Sequence, residues 1–115
     1  MASDVAVLFD LDGVIVDSRE HHMAAWEAWA REHAPNAPDG YFLRSFGLRN
    51  DAIIGGLRPD ITTDELQRLA DEKERLFRSQ LVDMAPLPGL MALLDWAQGR
   101  AIKMAVVTNA PRANA

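Results

Sequence analysis

No cysteine occurs in the 115 residues, which removes disulfide bridges and thiolate-bound zinc from consideration and matches a reducing, cytoplasmic setting. Nor is there an apolar run of the roughly 20 residues that a membrane helix requires. The most apolar stretch near the start, Val5 to Val16, holds Asp10 and Asp12 in its middle and has no basic lead-in, so no signal peptide is expected. Positive charge is also in short supply. Twelve Lys and Arg face seventeen Asp and Glu, a formal net charge of −5. A nucleic-acid backbone binder would carry a basic face, so that class is set aside. A small anionic substrate is still open, because a few local cations outweigh a weak global field. What remains is one domain's length of chain with 49% apolar residues, ordinary for a globular protein.

Val5-Ala6-Val7-Leu8-Phe9 is a short continuous apolar run of β-forming residues and reads as a strand buried on both faces in a parallel sheet. Ile102 to Val107 is a second such run, with Lys103 placing its start near solvent. Between them the pattern is helical. Ser18 is a suitable N-cap for a helix over 19–33 that puts His22, Trp26, Trp29 and His33 on one face. Pro35, Pro38 and Gly40 end it. Short helices are expected over Tyr41–Phe46 and Asp51–Leu57, punctuated by Gly47 and the Gly55-Gly56 pair. Thr62-x-x-Glu65 is a capping box with Ile61 and Leu66 as its hydrophobic staple. The helix it opens should run to about Asp83, with Leu66, Leu69, Ala70, Phe77, Leu81 and Met84 on one stripe and Lys73 interrupting that stripe. After Pro86-Leu87-Pro88-Gly89, a last helix over Leu90–Gln98 should bury Leu90, Leu93, Leu94 and Ala97 and stop at Gly99.

The chemistry-bearing residues follow the two strands. Asp10 and Asp12 come directly after the first, where ligands bind in open α/β sheets. Gly13 would let backbone N–H groups approach an anion. Two carboxylates at this spacing suit phosphoryl transfer, one as nucleophile and one as proton shuttle, with a hard cation to offset their repulsion from a phosphate. A calcium loop of the EF-hand kind is excluded, since its fifth, sixth and twelfth positions would be Val14, Ile15 and His21. Thr108 and Asn109, after the second strand, offer a hydroxyl and an amide to phosphoryl oxygens.

Phe9-Asp10-Leu11-Asp12-Gly13-Val14-Ile15-Val16-Asp17-Ser18 resembles the first motif of the haloacid dehalogenase superfamily, and Val106-Val107-Thr108-Asn109-Ala110 its second. Pro88-Gly89 and the helical insert resemble the branch that contains phosphoglycolate phosphatases and β-phosphoglucomutases. The resemblance implies a doubly wound α/β core from residues 1–16 and 86–115, represented here by two parallel strands, and a helical cap over 17–85. It implies Asp10 as the nucleophile that forms an aspartyl-phosphate, Asp12 as general acid/base, and Thr108 and Asn109 as phosphate ligands. Mg²⁺ would be held by the Asp10 carboxylate and the Asp12 backbone carbonyl. His22, Arg49 and Lys73 resemble cap residues that meet the substrate. Packing for His22, solvation for Arg49 and a snorkelling stem for Lys73 are the plain alternatives. Glu74 and Arg78 form an i, i+4 pair suited to helix support.

The expected activity is therefore that of a Mg²⁺-dependent phosphatase on a small phosphorylated metabolite, with no nucleic-acid or membrane partner. Asn109 resembles the phosphatases. His22, Arg49 and Lys73 support a β-phosphoglucomutase-like isomerase as the second reading. A silent fragment acting through binding is the third, and a response-regulator receiver a weaker fourth, since it has no helical insert before its second strand. The family's lysine and second acidic pair do not occur in the sequence, so an N-terminal portion with little activity alone is expected, self-associating through an unpaired sheet edge.

Overall fold

The computed structural model describes residues 4–81 and 84–115. Among these, β1 (Ala6–Phe9) is followed by α1 (Arg19–His33), α2 (Tyr41–Arg44), α3 (Asn50–Leu57), α4 (Thr63–Ser79), α5 (Leu90–Gly99) and β2 (Lys103–Val106). The chain divides into two compact units. Glu20–Leu81 is helical, and Met1–Arg19 together with Val82–Ala115 carries both strands.

In the helical unit, the aromatic face of α1 supplies the core. Trp26, Trp29, Ile53, Ile54 and Leu69 are buried together, and Phe42, Leu57, Ile61 and Leu66 pack against them. Trp29 stands edge-on to Trp26, with ring centroids 5.3 Å apart, and Trp26 stacks on Phe42 at 5.1 Å. The indole N–H of Trp29 donates to the Leu69 carbonyl at 3.1 Å, so its polar edge is satisfied without water. α4 starts where the capping box places it, with the Thr62 hydroxyl oxygen accepting from the Glu65 N–H at 3.3 Å. It ends at Ser79, short of the expected Asp83, which lies outside the described residues, and Leu81 beyond it is exposed. The Gly55-Gly56 pair sits inside α3, not at its end. A Cβ on Gly56 would collide with the Tyr41 hydroxyl, which donates to the Ile53 carbonyl at 2.7 Å. Close approach, not helix termination, is what that glycine serves.

In the sheet unit, β1 and β2 pair in parallel, Ala6 opposite Lys103 through Phe9 opposite Val106, and the Val107 N–H continues the ladder to the Phe9 carbonyl at 2.8 Å. The expectation of strands buried on both faces fails. Only Phe9 is buried in β1, Leu8 is 67% exposed, and every residue of β2 is exposed. The apolar runs signal what the strands are built to be buried by. The described residues put only part of that cover over them.

The end of α5 also differs from expectation. Gly99 is its last helical residue, and the left-handed position falls on Ala101, at φ 54°. The Ile102 N–H reaches the Ala97 carbonyl at 3.0 Å and the Ala101 N–H reaches Gln98 at 3.1 Å, a Schellman closure with alanine at C′. Leu90 and Ala97 are buried as expected, whereas Leu93 is exposed. A left-handed alanine costs about 1–2 kcal/mol. Ala101→Gly is therefore expected to stabilise the protein by roughly 0.5–1 kcal/mol, after allowing for glycine's extra unfolded-state entropy. Urea titration measures this, and a destabilised variant would show that the closure is not under strain.

Candidate active site

Because β1 and β2 are neighbours running the same way, the residues after Phe9 and after Val106 leave the same, carboxyl, end of the sheet. Asp10 and Asp12 thus share that end with Thr108 and Asn109. Asp10 is exposed, and one of its carboxylate oxygens accepts the Leu11 N–H at 2.8 Å. No other hydrogen bond from the described residues reaches it, which leaves an oxygen open to solvent and ligand.

Asp12 is half-buried and more closely held. The hydroxyl of Ser18, itself fully buried, donates to Asp12 Oδ1 at 2.6 Å. The loop between them is stapled by its own backbone. The Gly13 N–H donates to the Val16 carbonyl at 2.9 Å, and the Ile15 and Val16 N–H groups both reach the Leu11 carbonyl. Gly13 takes φ +79° with nothing within 4 Å of a would-be Cβ, so the backbone conformation alone calls for glycine there. On the far side of the loop, Val16 bridges to Pro86 and the Leu87 N–H donates to the Ile15 carbonyl at 3.0 Å, which ties the loop to the Pro86–Pro88 segment.

Ser18 was legible only as a helix cap. Its bond to Asp12 makes it an orienting group for the acid/base candidate, and its place six residues on in the same motif is the signal that could have exposed it. Ser18→Ala would take that donor from Asp12, a loss of about 1.5–3 kcal/mol for a hydrogen bond to a charged group. If Asp12 transfers a proton, kcat should fall about tenfold to a hundredfold with KM little changed. A change in KM alone would remove Ser18 from this role.

Beyond β2, the Thr108 hydroxyl oxygen accepts the Ala110 N–H at 3.0 Å, which fixes the turn and leaves the hydroxyl proton to donate elsewhere. Asn109 is exposed.

The remaining candidates lie in the helical unit. Lys73 is 2% exposed, so its side chain does not snorkel to the surface. Its ammonium donates to His22 Nδ1 at 2.8 Å and to Glu74 Oε1 at 3.1 Å, between the rings of Trp26 and Phe77. His22 stacks flat on Phe77, with centroids 3.9 Å apart. Glu74, expected to support its helix with Arg78, is buried and also accepts from the side chain of Asn50. Arg49 is exposed at the N-cap of α3, with Nε 3.5 Å from Asp51 Oδ1. Asn50 and Glu74 carried no sequence signal as a pair, since 24 positions separate them.

The sequence pattern of the haloacid dehalogenase-like hydrolases matches residues 5–115. The chain belongs to that family. Among curated members, the β-phosphoglucomutase of Bacillus subtilis is 32% identical over 93% of this chain and 53% of its own length. Hexitol phosphatase A of Escherichia coli is 33% identical over 89% of this chain and 47% of its own. The chain thus spans about half the length of the curated relatives it matches. A solved family IA hydrolase from Entamoeba histolytica superposes with a TM-score of 0.83 at 24% identity, over 96% of this chain and 51% of that one, which shows the shared fold.

Phosphatases and phosphoglucomutases of the haloacid dehalogenase family generally use a divalent metal. The donors at Asp10 and Asp12 fit such an ion in kind, being hard oxygens with one carboxylate open to solvent. They do not by themselves form a cluster. Among the described residues, the group of three ligating side chains that gathers within 4.8 Å is Glu32, His33 and Glu72, in the helical unit, where His33 Nε2 lies 3.0 Å from Glu72. No helix of the described residues is long and apolar enough to cross a membrane.

Proposed function

We infer that this chain carries the nucleophile and the acid/base of a Mg²⁺-dependent, cytoplasmic phosphatase for a small phosphorylated metabolite. The observation that supports this most is the pair of differently held carboxylates at the carboxyl end of β1, Asp10 open to solvent and Asp12 held by Ser18. In the first half-reaction, an Asp10 oxygen attacks phosphorus while the bond to the leaving oxygen breaks and Asp12 gives that oxygen its proton. Asp12, now a carboxylate, then takes a proton from the water that attacks the aspartyl-phosphate, and Asp10 and inorganic phosphate are released. Thr108 and Asn109 hydrogen-bond the phosphoryl oxygens as charge shifts onto them. The Asp10 carboxylate and the Asp12 carbonyl would hold Mg²⁺, whose charge would offset that of the phosphoryl group.

A β-phosphoglucomutase-like reaction is the second reading. The direct contact of His22 with Lys73 and the 32% identity to the Bacillus protein favour it. The uncovered sheet is also proposed to drive self-association. Leu8, Val106 and Val107 are all exposed in or next to a sheet that has two strands among the described residues.

The test is to express the protein from its whole reading frame and assay phosphate release from sugar phosphates, polyol phosphates and an aryl phosphate. Release should require Mg²⁺ and stop with EDTA. Residues 1–115 alone, assayed beside a sizing column, should turn over far more slowly and elute as more than a monomer. Interconversion of sugar phosphates without net release would support the mutase reading. A folded protein inert on all of them would end the phosphatase reading.

A further inference from the structure

The last turn of α1 meets α4 at three side chains whose chemistry the phosphatase reading does not use. Glu32 and His33 end α1, Glu72 lies in the middle of α4, and one ligating atom from each gathers within 4.8 Å of the others. All three belong to the helical unit. His33 Nε2 stands 3.0 Å from Glu72 Oε2 and 3.9 Å from Glu32 Oε2. The imidazole is held in place by Trp29, whose ring centroid lies 5.2 Å from its own.

An ordinary ion pair explains this group poorly. His33 Nε2 is buried and has no hydrogen-bond partner, although the Glu72 oxygen is only 3.0 Å away. That oxygen therefore lies off the direction in which a ring N–H would point. A buried ring nitrogen without an aligned partner calls for an explanation, and a bound ion is one of the recognised ones. The charges are also one-sided. The Glu72 side chain is 20% exposed and that of Glu32 is 70% exposed, and among the described residues neither carboxylate pairs with a Lys or Arg. Earlier in α4, by contrast, Glu65 has both Arg58 and Arg68. Two carboxylates this close oppose each other, and a single imidazolium would offset one of them at most.

One imidazole and two carboxylates have the composition of a transition-metal site. Zn²⁺ takes nitrogen and oxygen together in a tetrahedron, whereas Mg²⁺ prefers oxygens and water in an octahedron. Bonds of about 2.0–2.2 Å to a tetrahedral ion put neighbouring ligand atoms roughly 3.3–3.6 Å apart. The two separations from Nε2, 3.0 and 3.9 Å, bracket that range, and the exposed Glu32 can rotate to close the longer one. We propose that Glu32, His33 and Glu72 form a Zn²⁺ site, completed by water and selective against Mg²⁺, that fastens the last turn of α1 to α4. Its role is structural, and it is independent of the chemistry assigned to Asp10 and Asp12.

The test uses protein from the whole reading frame carrying Asp10→Asn, stripped with EDTA and titrated calorimetrically with Zn²⁺ in excess Mg²⁺. One equivalent of Zn²⁺ should bind through this group with a Kd of about 1–10 µM. Glu72→Gln should weaken that equivalent about tenfold to a hundredfold, and Glu32→Gln, at an exposed position, about threefold to tenfold. His33→Ala should match Glu72→Gln where circular dichroism shows its helices kept. If it does not fold, the two glutamine variants decide. Zn²⁺ at roughly a hundred times its Kd should raise the thermal midpoint by about 5 °C or more, and Glu72→Gln should abolish that rise. Co²⁺ in place of Zn²⁺ should give the intense visible absorption of a four-coordinate ion, again lost with Glu72→Gln. If every bound equivalent of Zn²⁺ is indifferent to Glu72→Gln, or if Mg²⁺ alone raises the midpoint as far, the proposal is overturned. Because Asp10 is changed in every sample, the result stands whether or not the unaltered protein releases phosphate from any ester.

Discussion

Replacing Asp10 by Asn is expected to remove phosphate release almost completely, by roughly 10⁵-fold or more, as when a covalent nucleophile is lost from a preorganised site. The amide is nearly the same size and can still accept the Leu11 N–H that now binds one carboxylate oxygen. The fold and the turn therefore stay, and what disappears is the anionic oxygen able to attack phosphorus. Asp12→Asn should be milder, about 10²–10⁴-fold, because it removes proton transfer and leaves the nucleophile. The order of the two effects is the discriminating result. If Asp12→Asn were the more damaging, or if Asp10→Asn kept substantial turnover, the roles drawn from the two environments would be reversed or wrong. Rapid-quench labelling with a phosphorylated substrate adds a direct check, since only the enzyme with Asp10 should trap acid-stable phosphate on the protein.

Trp29→Ala is expected to cost the helical unit about 3–5 kcal/mol, a large share of the roughly 5–15 kcal/mol that holds a native protein folded. Trp29 is fully buried, packs against Trp26, His33 and Phe42, and closes its own N–H on the Leu69 carbonyl. Alanine would leave a cavity lined by aromatic rings from α1 and the chain around α2, and helix packing cannot collapse to fill all of it. Trp29→Phe should cost less, roughly 1–3 kcal/mol, since it keeps much of the volume and gives up the hydrogen bond. Urea unfolding followed by far-ultraviolet dichroism separates these values. A loss under about 1 kcal/mol for the alanine variant would mean that Trp29 is not the centre of this core.

These two residues also show what the sequence made legible. Trp29 was readable because helical spacing puts Trp26, Trp29 and His33 on one face, and a face that apolar must be covered. Asp10 and Asp12 were readable because a β-forming run stops at them, and the second run ending at Thr108 implied a parallel neighbour. Local signals of this kind carried the elements and the ends of most helices. Burial was another matter. Val5-Ala6-Val7-Leu8-Phe9 has the composition of a core strand, yet only Phe9 is buried. Composition records what a segment is suited to contact, and the contact itself depends on partners elsewhere. The burial of Glu74 was hidden for a related reason. On a helix diagram it is one half of an i, i+4 pair with Arg78. It also meets Asn50, 24 positions away, which no local pattern joins to it. Ala101 was missed because glycine is the expected left-handed residue and Gly99 stood close by.

The pairing of residues 6–9 with 103–106 has a kinetic side. β1 leaves the ribosome before its partner does, with the whole of Glu20–Leu81 made between them. The helical unit has its buried contacts within a continuous stretch and can form while β1 still waits. Once formed, it replaces a long flexible loop with a compact insert, which lowers the entropy lost when the strands meet. Hydrogen exchange during refolding should then protect the amides of α1 and α4 before those of β1 and β2. In the interval, Val5-Ala6-Val7-Leu8-Phe9 is a bare apolar strand on a growing chain, a segment open to aggregation until its partner arrives.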